Sequence, residues 1–144
     1  TLYRWVGDRD QLMSEVLAGL STMTWAHAID TAEGATGGEK AMDAGRRFME
    51  WTVAFPPLRQ FAEREPQLAL RVLLADDGPV IRANRAGFRQ ALDAFVPEQK
   101  VSDELIEVAV QCGTALEWAP VAIGGKPEIE RAGRMIRALF ETSL

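Results

Sequence analysis

The chain has 144 residues, of which 47% are apolar and 26% are charged, and these proportions are typical of one soluble globular domain. Its net charge of −5 excludes an overall basic surface for nucleic acid, so any DNA contact must be local or come from residues outside this sequence. The single cysteine, Cys112, excludes an internal disulfide and predicts a cytoplasmic location. The longest apolar stretch, residues 108–125, contains Gln111, Glu117 and Pro120. It is too polar to span a membrane, so no membrane partner is predicted.

The start of the chain predicts two helices. Good helix formers predominate throughout and no segment reads as a strand, so the predicted fold class is all-α. A short helical remnant over residues 1–6 is expected to end at Gly7. Asp8 then has the position of an N-cap, with Gln11 as its capping-box partner, and its helix runs to about Glu33. Residues three or four positions apart lie on one face of this helix, namely Leu12, Val16, Leu20, Met23 and His27.

Prolines and glycines divide the rest of the chain into further helices. The expected segments cover about 39–55, 57–75, 79–96, 103–123 and 127–142. Pro66 interrupts the second of these segments, which predicts either two short helices or one kinked helix. Ser102 is placed to cap the fourth, and Pro79 and Pro127 are placed in the first turns of the third and the fifth.

The first twelve residues carry a motif. The pattern T-L-Y-R-x-x-G-x-R-x-x-L resembles the end of the helix-turn-helix in transcription regulators of the TetR family. In that family a recognition helix finishes in T-L-Y-x-x-F, and a short loop with a basic residue leads into a long linking helix. Trp5 and Val6 depart from the family's usual histidine or aromatic residues, and Arg9 replaces a more usual lysine. Apolar packing and a cation are retained.

The resemblance implies a domain organisation. Residues 1–7 would be the end of the DNA-binding helix-turn-helix domain, and residues 8–144 a helical effector and dimerisation domain in which residues 8–33 form the linking helix. The chain would then begin inside the recognition helix, with the first helices of the DNA-binding domain upstream. The order of helices after residue 33 is similar to the family's effector domain, including a final pair of helices that dimerises.

The function implied by the resemblance is that of a ligand-responsive repressor. A homodimer would bind operator DNA through residues mostly upstream of this chain, and a small, largely apolar effector would tilt the linking helix. Two other hypotheses stay open on the residues alone. The chain could be a small-molecule carrier or enzyme with a buried aromatic pocket, or a plain helical dimerisation module without a ligand.

Three residues near the start are candidates for DNA contact: Thr1, Tyr3 and Arg9. A hydroxyl, a phenol and a guanidinium near a helix end suit phosphate contacts better than base reading. The alternative is that Tyr3 packs the small domain and that Arg9 is solvated.

Aromatic and polar residues at helical spacing are candidates for an effector site, since small-molecule sites combine apolar walls with a few polar groups. The candidate set is Trp25, His27, Phe48, Trp51, Phe55, Phe61, Asn84, Phe88 and Trp118. The alternative for the aromatic rings is ordinary core, and for His27 a boundary position bonded to a carbonyl. Asn84 lies on an apolar helix face and needs a partner if it is buried. Thr52 and Glu117 are weaker candidates of the same kind.

Small and apolar residues on the last two helices are candidates for a dimer interface: Gly113, Leu116, Gly133, Ile136 and Phe140. Glycine within a helix allows close helix approach, either between subunits or within one. No nucleophile elbow, zinc-ligand spacing or paired-carboxylate motif occurs, and GATGGEK does not match the phosphate-loop spacing. No catalytic residue, metal or cofactor is therefore predicted, and the protein is not expected to be an enzyme.

Overall fold

A computed structural model describes the backbone of residues 2–143 and the side chains of residues 8–141. This part of the chain is all helical, as predicted, and contains no strand. Its helices are α1 (Leu2–Thr31), α2 (Gly37–Ala54), α3 (Pro56–Arg64), α4 (Pro66–Leu74), α5 (Pro79–Phe95), α6 (Asp103–Ala122) and α7 (Ile129–Ser143).

The first helix is continuous, so the predicted break at Gly7 and the predicted N-cap at Asp8 are wrong. Residues 2–31 form one helix that passes through both positions. Glycine inside a helix costs only about 1 kcal/mol relative to alanine. That cost is too small to end a helix whose neighbouring residues favour it on both sides.

The buried face of α1 also differs from the predicted apolar row. Leu17, Ser21, Trp25 and Ala28 are buried, whereas the side chains of Leu12 and Met23 are 63% and 73% exposed. The helix has apolar residues on two sides, and it packs mainly against α5 and α2 on one of them. Periodicity identifies faces that are able to pack, but it does not say which face has a neighbour.

Prolines and capping residues set most of the other boundaries. Pro56, Pro66 and Pro79 lie in the first turns of α3, α4 and α5, so the segment after α2 forms two short helices. A proline in the first turn loses no hydrogen bond, because its missing N–H would have no partner within the helix. The predicted cap at Ser102 is confirmed by a 3.1 Å hydrogen bond from the Leu105 backbone N–H to its hydroxyl.

Two apolar clusters form the interior. The larger joins α1, α2, α5, α6 and α7, and includes Trp25, Phe48, Ile81, Phe88, Leu92, Ile106 and Phe140. The smaller lies under α3 and α4, and includes Leu17, Val53, Leu58, Val72, Leu73, Val80 and Trp118. Helix α6 packs on α7 in one direction and on α4 in the other, so it contributes to both clusters.

One close approach fixes α1 on α5. A Cβ atom built on Gly87 would lie 2.2 Å from Cγ and 2.4 Å from Cδ1 of Trp25. The indole therefore occupies the space that any larger side chain at position 87 would need. Glycine at this position lets the ring pack directly on the backbone of α5.

Gly87→Ala is expected to destabilise the protein by roughly 1–3 kcal/mol, the usual cost of overpacking a core. The added methyl cannot be accommodated without moving Trp25 or separating α1 from α5. Gly19→Ala is the matched control, because a Cβ there meets no atom within 4 Å and alanine favours a helix by about 1 kcal/mol. Urea unfolding of both variants tests this difference. Equal stability of the two variants would contradict it.

Candidate functional site

A cavity of about 40 Å³ lies inside the larger cluster. Five helices line it. The lining residues are Trp25 from α1, Gly45, Phe48 and Met49 from α2, Asn84 and Phe88 from α5, Ala109, Val110, Gly113, Thr114 and Glu117 from α6, and Ile136 from α7. A volume of this size holds a few water molecules. An organic ligand would require the helices to separate.

Aromatic rings form one wall of the cavity. Trp25 stacks on Phe48 with 4.5 Å between ring centroids and 15° between planes. Phe88 lies 5.9 Å from Trp25 at a tilt of 55°, and Phe140 meets Phe88 edge to face at 5.5 Å. Contacts of this kind contribute beyond the burial of area alone, so the wall is a well-defined surface.

Glu117 is the one titratable side chain among the residues that line the cavity, and it is fully buried. Burial raises the pKa of its carboxyl from 4.5 to about 8, although a hydrogen bond with Thr52 acts in the opposite direction. Burial prevails because water no longer solvates the charged form. The carboxyl is therefore protonated at neutral pH.

The hydrogen bonds around Thr52 agree with a protonated Glu117. The Thr52 hydroxyl is within hydrogen-bond distance of Glu117 Oε1 and lies 3.1 Å from the Met49 carbonyl oxygen. A hydroxyl has a single proton to donate. If that proton goes to the Met49 carbonyl, the Glu117 carboxylic acid donates its own proton to Thr52, and both hydrogen bonds are made.

Two polar atoms beside the cavity have no partner. Among the side chains of residues 8–141, the buried nitrogen and oxygen atoms without a hydrogen bond are Trp25 Nε1 and Asn84 Oδ1. Both residues line the cavity, and they are 4% and 5% exposed. A buried donor or acceptor without a partner costs about 1–3 kcal/mol, so the pair is an unusual feature of this core.

The structure brings four of the nine predicted effector-site residues together at the cavity, namely Trp25, Phe48, Asn84 and Phe88. The other five lie elsewhere. His27 is exposed and its ring lies 4.5 Å from that of half-buried Trp51. Phe55 is exposed at the junction of α2 and α3, and Phe61 and Trp118 belong to the smaller cluster.

The predicted effector site lacks the side of the cavity that α6 forms. Val110, Gly113 and Glu117 all line it, and their spacing of three and four residues places them on one helix face. That spacing was visible in the sequence. The sequence predicts Glu117 only as a weaker candidate beside Thr52, whereas the structure buries it at the cavity.

The predicted interface residues divide into two groups. Gly113 and Phe140 are buried within this chain, the first at the cavity and the second against Phe88. Leu116, Gly133 and Ile136 are half-buried. On α6, Val108 and Cys112 are exposed.

Of the predicted DNA contacts, Thr1 and the Tyr3 side chain lie outside the described residues. The Arg9 guanidinium forms an ion pair with Glu65 at the end of α3, with 3.1 Å between Nη2 and Oε2. The next residue, Asp10, pairs with Arg71 of α4 at 3.0 Å. These two ion pairs connect the beginning of α1 with α3 and α4.

Comparison with known proteins identifies the family. Residues 36–141, well over half of the chain, match the model of the tetracyclin repressor-like C-terminal domain. The chain belongs to the TetR family. Regulators of this family act on DNA as dimers with small-molecule effectors, and the all-helical fold described above is the family's fold.

A solved TetR-family structure is similar over nearly the whole chain. It is the transcriptional repressor QsdR of R. erythropolis, with 28% sequence identity and a TM-score of 0.83 over 98% of this chain and 77% of that one. No curated protein matches the chain. Of the helices in residues 2–143, none combines the length and the apolar content that a membrane span needs.

Glu117 predicts a specific pH dependence of stability. The unfolded carboxyl ionises near pH 4.5, whereas the folded carboxyl keeps its proton to about pH 8. The stability linked to this group is fully present below pH 4.5 and is lost as the pH rises to about 8, at roughly 1.4 kcal/mol per pH unit. In Glu117→Gln, the free energy of unfolding by urea, measured between pH 5 and 8, should lack this dependence on pH.

Glu104→Gln is the control for that measurement, because Glu104 is an exposed acid on the same helix. Its free energy of unfolding should change with pH in parallel with that of the parent protein. Parallel profiles for the parent and Glu117→Gln would show that the buried carboxyl is ionised in the folded state.

Proposed function

We propose that the protein is a ligand-responsive, DNA-binding repressor whose helical C-terminal domain binds a small, largely apolar effector and forms a homodimer. The observation that carries the proposal is the position of the cavity. Its aromatic wall includes Trp25 of α1, and α1 is the helix whose first residues carry the resemblance to the end of a helix-turn-helix. Operator DNA would be bound mostly by residues upstream of this sequence.

The length of α1 supports transmission of a signal. Trp25 and Arg9 are sixteen residues apart on this uninterrupted helix, which corresponds to about 24 Å at a rise of 1.5 Å per residue. An effector larger than the 40 Å³ cavity must displace a wall. If α1 moves at Trp25, its first turns move as part of the same rod.

Movement of α1 would alter DNA binding through the dimer. Two helix-turn-helix units bind half-sites at a fixed spacing. An effector reduces operator affinity if it binds preferentially to a dimer whose helix-turn-helix units are spaced differently from the two half-sites. By the same factor, operator DNA reduces the affinity for the effector. The Arg9–Glu65 and Asp10–Arg71 ion pairs are exposed and each contributes about 0–1 kcal/mol, so they position α1 without preventing its displacement.

The outward faces of α6 and α7 are the proposed dimer surface. Val108 is 41% exposed and Cys112 lies one turn further along α6. A Cβ on Gly133 of α7 would meet no atom within 4 Å outside its own stretch of helix, which leaves room for a helix of a second subunit. Leu116 is half-buried beside these positions.

The effector mechanism is tested by filling the cavity. In the full-length protein, Gly45→Leu should leave operator binding intact and abolish its loss on addition of an effector, because the new side chain occupies the ligand's place. Gly19→Leu is the matched control on α1 and should keep the response. Fluorescence anisotropy of labelled operator DNA measures both. The proposal fails if the parent protein binds DNA equally well with and without every compound tested.

The dimer surface is tested by placing a charge on it. Val108→Asp should convert the full-length protein to a monomer in sedimentation equilibrium, because an unpaired carboxylate would be buried between subunits. Leu12→Asp is the control, since Leu12 is exposed on α1 and outside the proposed surface. A dimer that survives Val108→Asp and dissociates with Leu12→Asp would assign the interface to α1.

A further inference from the structure

We infer that the effector is an uncharged molecule whose polar group both donates and accepts a hydrogen bond, such as a carboxamide, attached to a compact apolar body. The inference rests on the proposed function and concerns the chemical class of ligand that the cavity takes. It depends on two atoms without partners, on the absence of a charged partner beside them, and on the aromatic wall.

Asn84 supplies the acceptor. Its Oδ1 atom is buried without a hydrogen bond, and the residue lies at the cavity between Ile81 and Phe88, which are both buried. An asparagine kept only for structure would be expected to have partners for its carbonyl oxygen. The oxygen itself is buried, so it would pair with a donor on a ligand once the helices separate to admit one.

Trp25 supplies the donor. Its Nε1–H is buried without an acceptor, while its ring stacks on Phe48 and packs against the backbone at Gly87. These contacts hold the indole in one orientation, so it cannot readily turn to find an acceptor elsewhere. A ligand carbonyl or hydroxyl oxygen would satisfy it.

The cavity offers no charge to pair with a charged ligand. Among its lining residues, those from α1, α2, α5 and α7 carry no titratable side chain, and burial holds Glu117 of α6 as a neutral acid. An ion placed here would lose its hydration without gaining a counter-ion. A neutral group that offers one donor and one acceptor meets the two free atoms without that cost.

A carboxamide meets both requirements in one planar group. In the proposed complex, its N–H donates to Asn84 Oδ1 and its carbonyl oxygen accepts from Trp25 Nε1. The rest of the ligand would face Phe48, Phe88 and Ile136, which are all apolar. A flat or compact apolar body suits a small space between rings.

Three probes of nearly identical shape separate the possible charges. Benzamide, benzamidine and benzoate share a benzene ring and a planar three-atom head group, and at pH 6.5 they are neutral, cationic and anionic. Binding to the full-length protein is measured by calorimetry and by the indole N–H resonance of Trp25 in NMR spectra. Benzamide should bind at least tenfold more tightly than either ion and should shift that resonance.

Asn84→Leu tests the acceptor. Leucine has nearly the same shape and removes an unsatisfied oxygen, so the variant is expected to fold at least as stably as the parent. Its affinity for benzamide should fall about fivefold, the usual net value of one neutral hydrogen bond. Gln90→Leu is the control, because Gln90 is an exposed amide on the same helix, and it should leave affinity unchanged.

Each other outcome overturns the inference. Tighter binding of benzamidine, lost in Glu117→Gln, would show that Glu117 ionises to hold a cation. The inference about a donor–acceptor group on the ligand would be wrong if benzoate binds more tightly, if Asn84→Leu leaves benzamide affinity unchanged, or if no probe binds. Operator binding measured on the same protein sample separates these results from a failure of the proposed function, because DNA binding does not depend on the probe's head group.

Discussion

The packing of Trp25 against α5 determines how the rest of this domain is arranged. Because Gly87 has no side chain, the indole lies directly on the α5 backbone, and it also stacks on Phe48 of α2. One side chain thus fixes α1 against both of its main neighbours and forms a wall of the cavity. In the proposed mechanism, the same contact would also make α1 move when a molecule enters the cavity.

The polar groups of the cavity would make the proposed effector site selective for the chemistry of its ligand. A fully apolar cavity would accept ligands mainly by size, whereas this one contains a neutral carboxylic acid and two unsatisfied atoms. Those atoms lower stability in the ligand-free state. A ligand that pairs with them regains that stability, and this differential interaction is what a population shift between two states requires.

Much of the fold was predictable because local chemistry fixes it. Pro56, Pro66 and Pro79 begin helices and Ser102 caps one, whatever the tertiary structure. The placement of Asn84 on an apolar face also followed from its neighbours. The buried side of α1 did not, since Leu12 and Leu17 are equally apolar and only the position of α5 decides between them. Trp25 and Trp118 likewise differ only in the helices that meet them, so spacing could not separate the cavity from the second cluster.

The proposed link between the cavity and DNA binding can be tested by the distance between the two α1 helices of the proposed dimer. Spin labels at Gln11→Cys, in a Cys112→Ser background, report that distance by double electron–electron resonance, a pulsed electron paramagnetic resonance experiment. With a compound that occupies the cavity and releases operator DNA, the distance distribution should shift to a new mean. If the compound binds beside Trp25 and releases DNA while the distance stays unchanged, α1 does not transmit the signal and the mechanism is wrong.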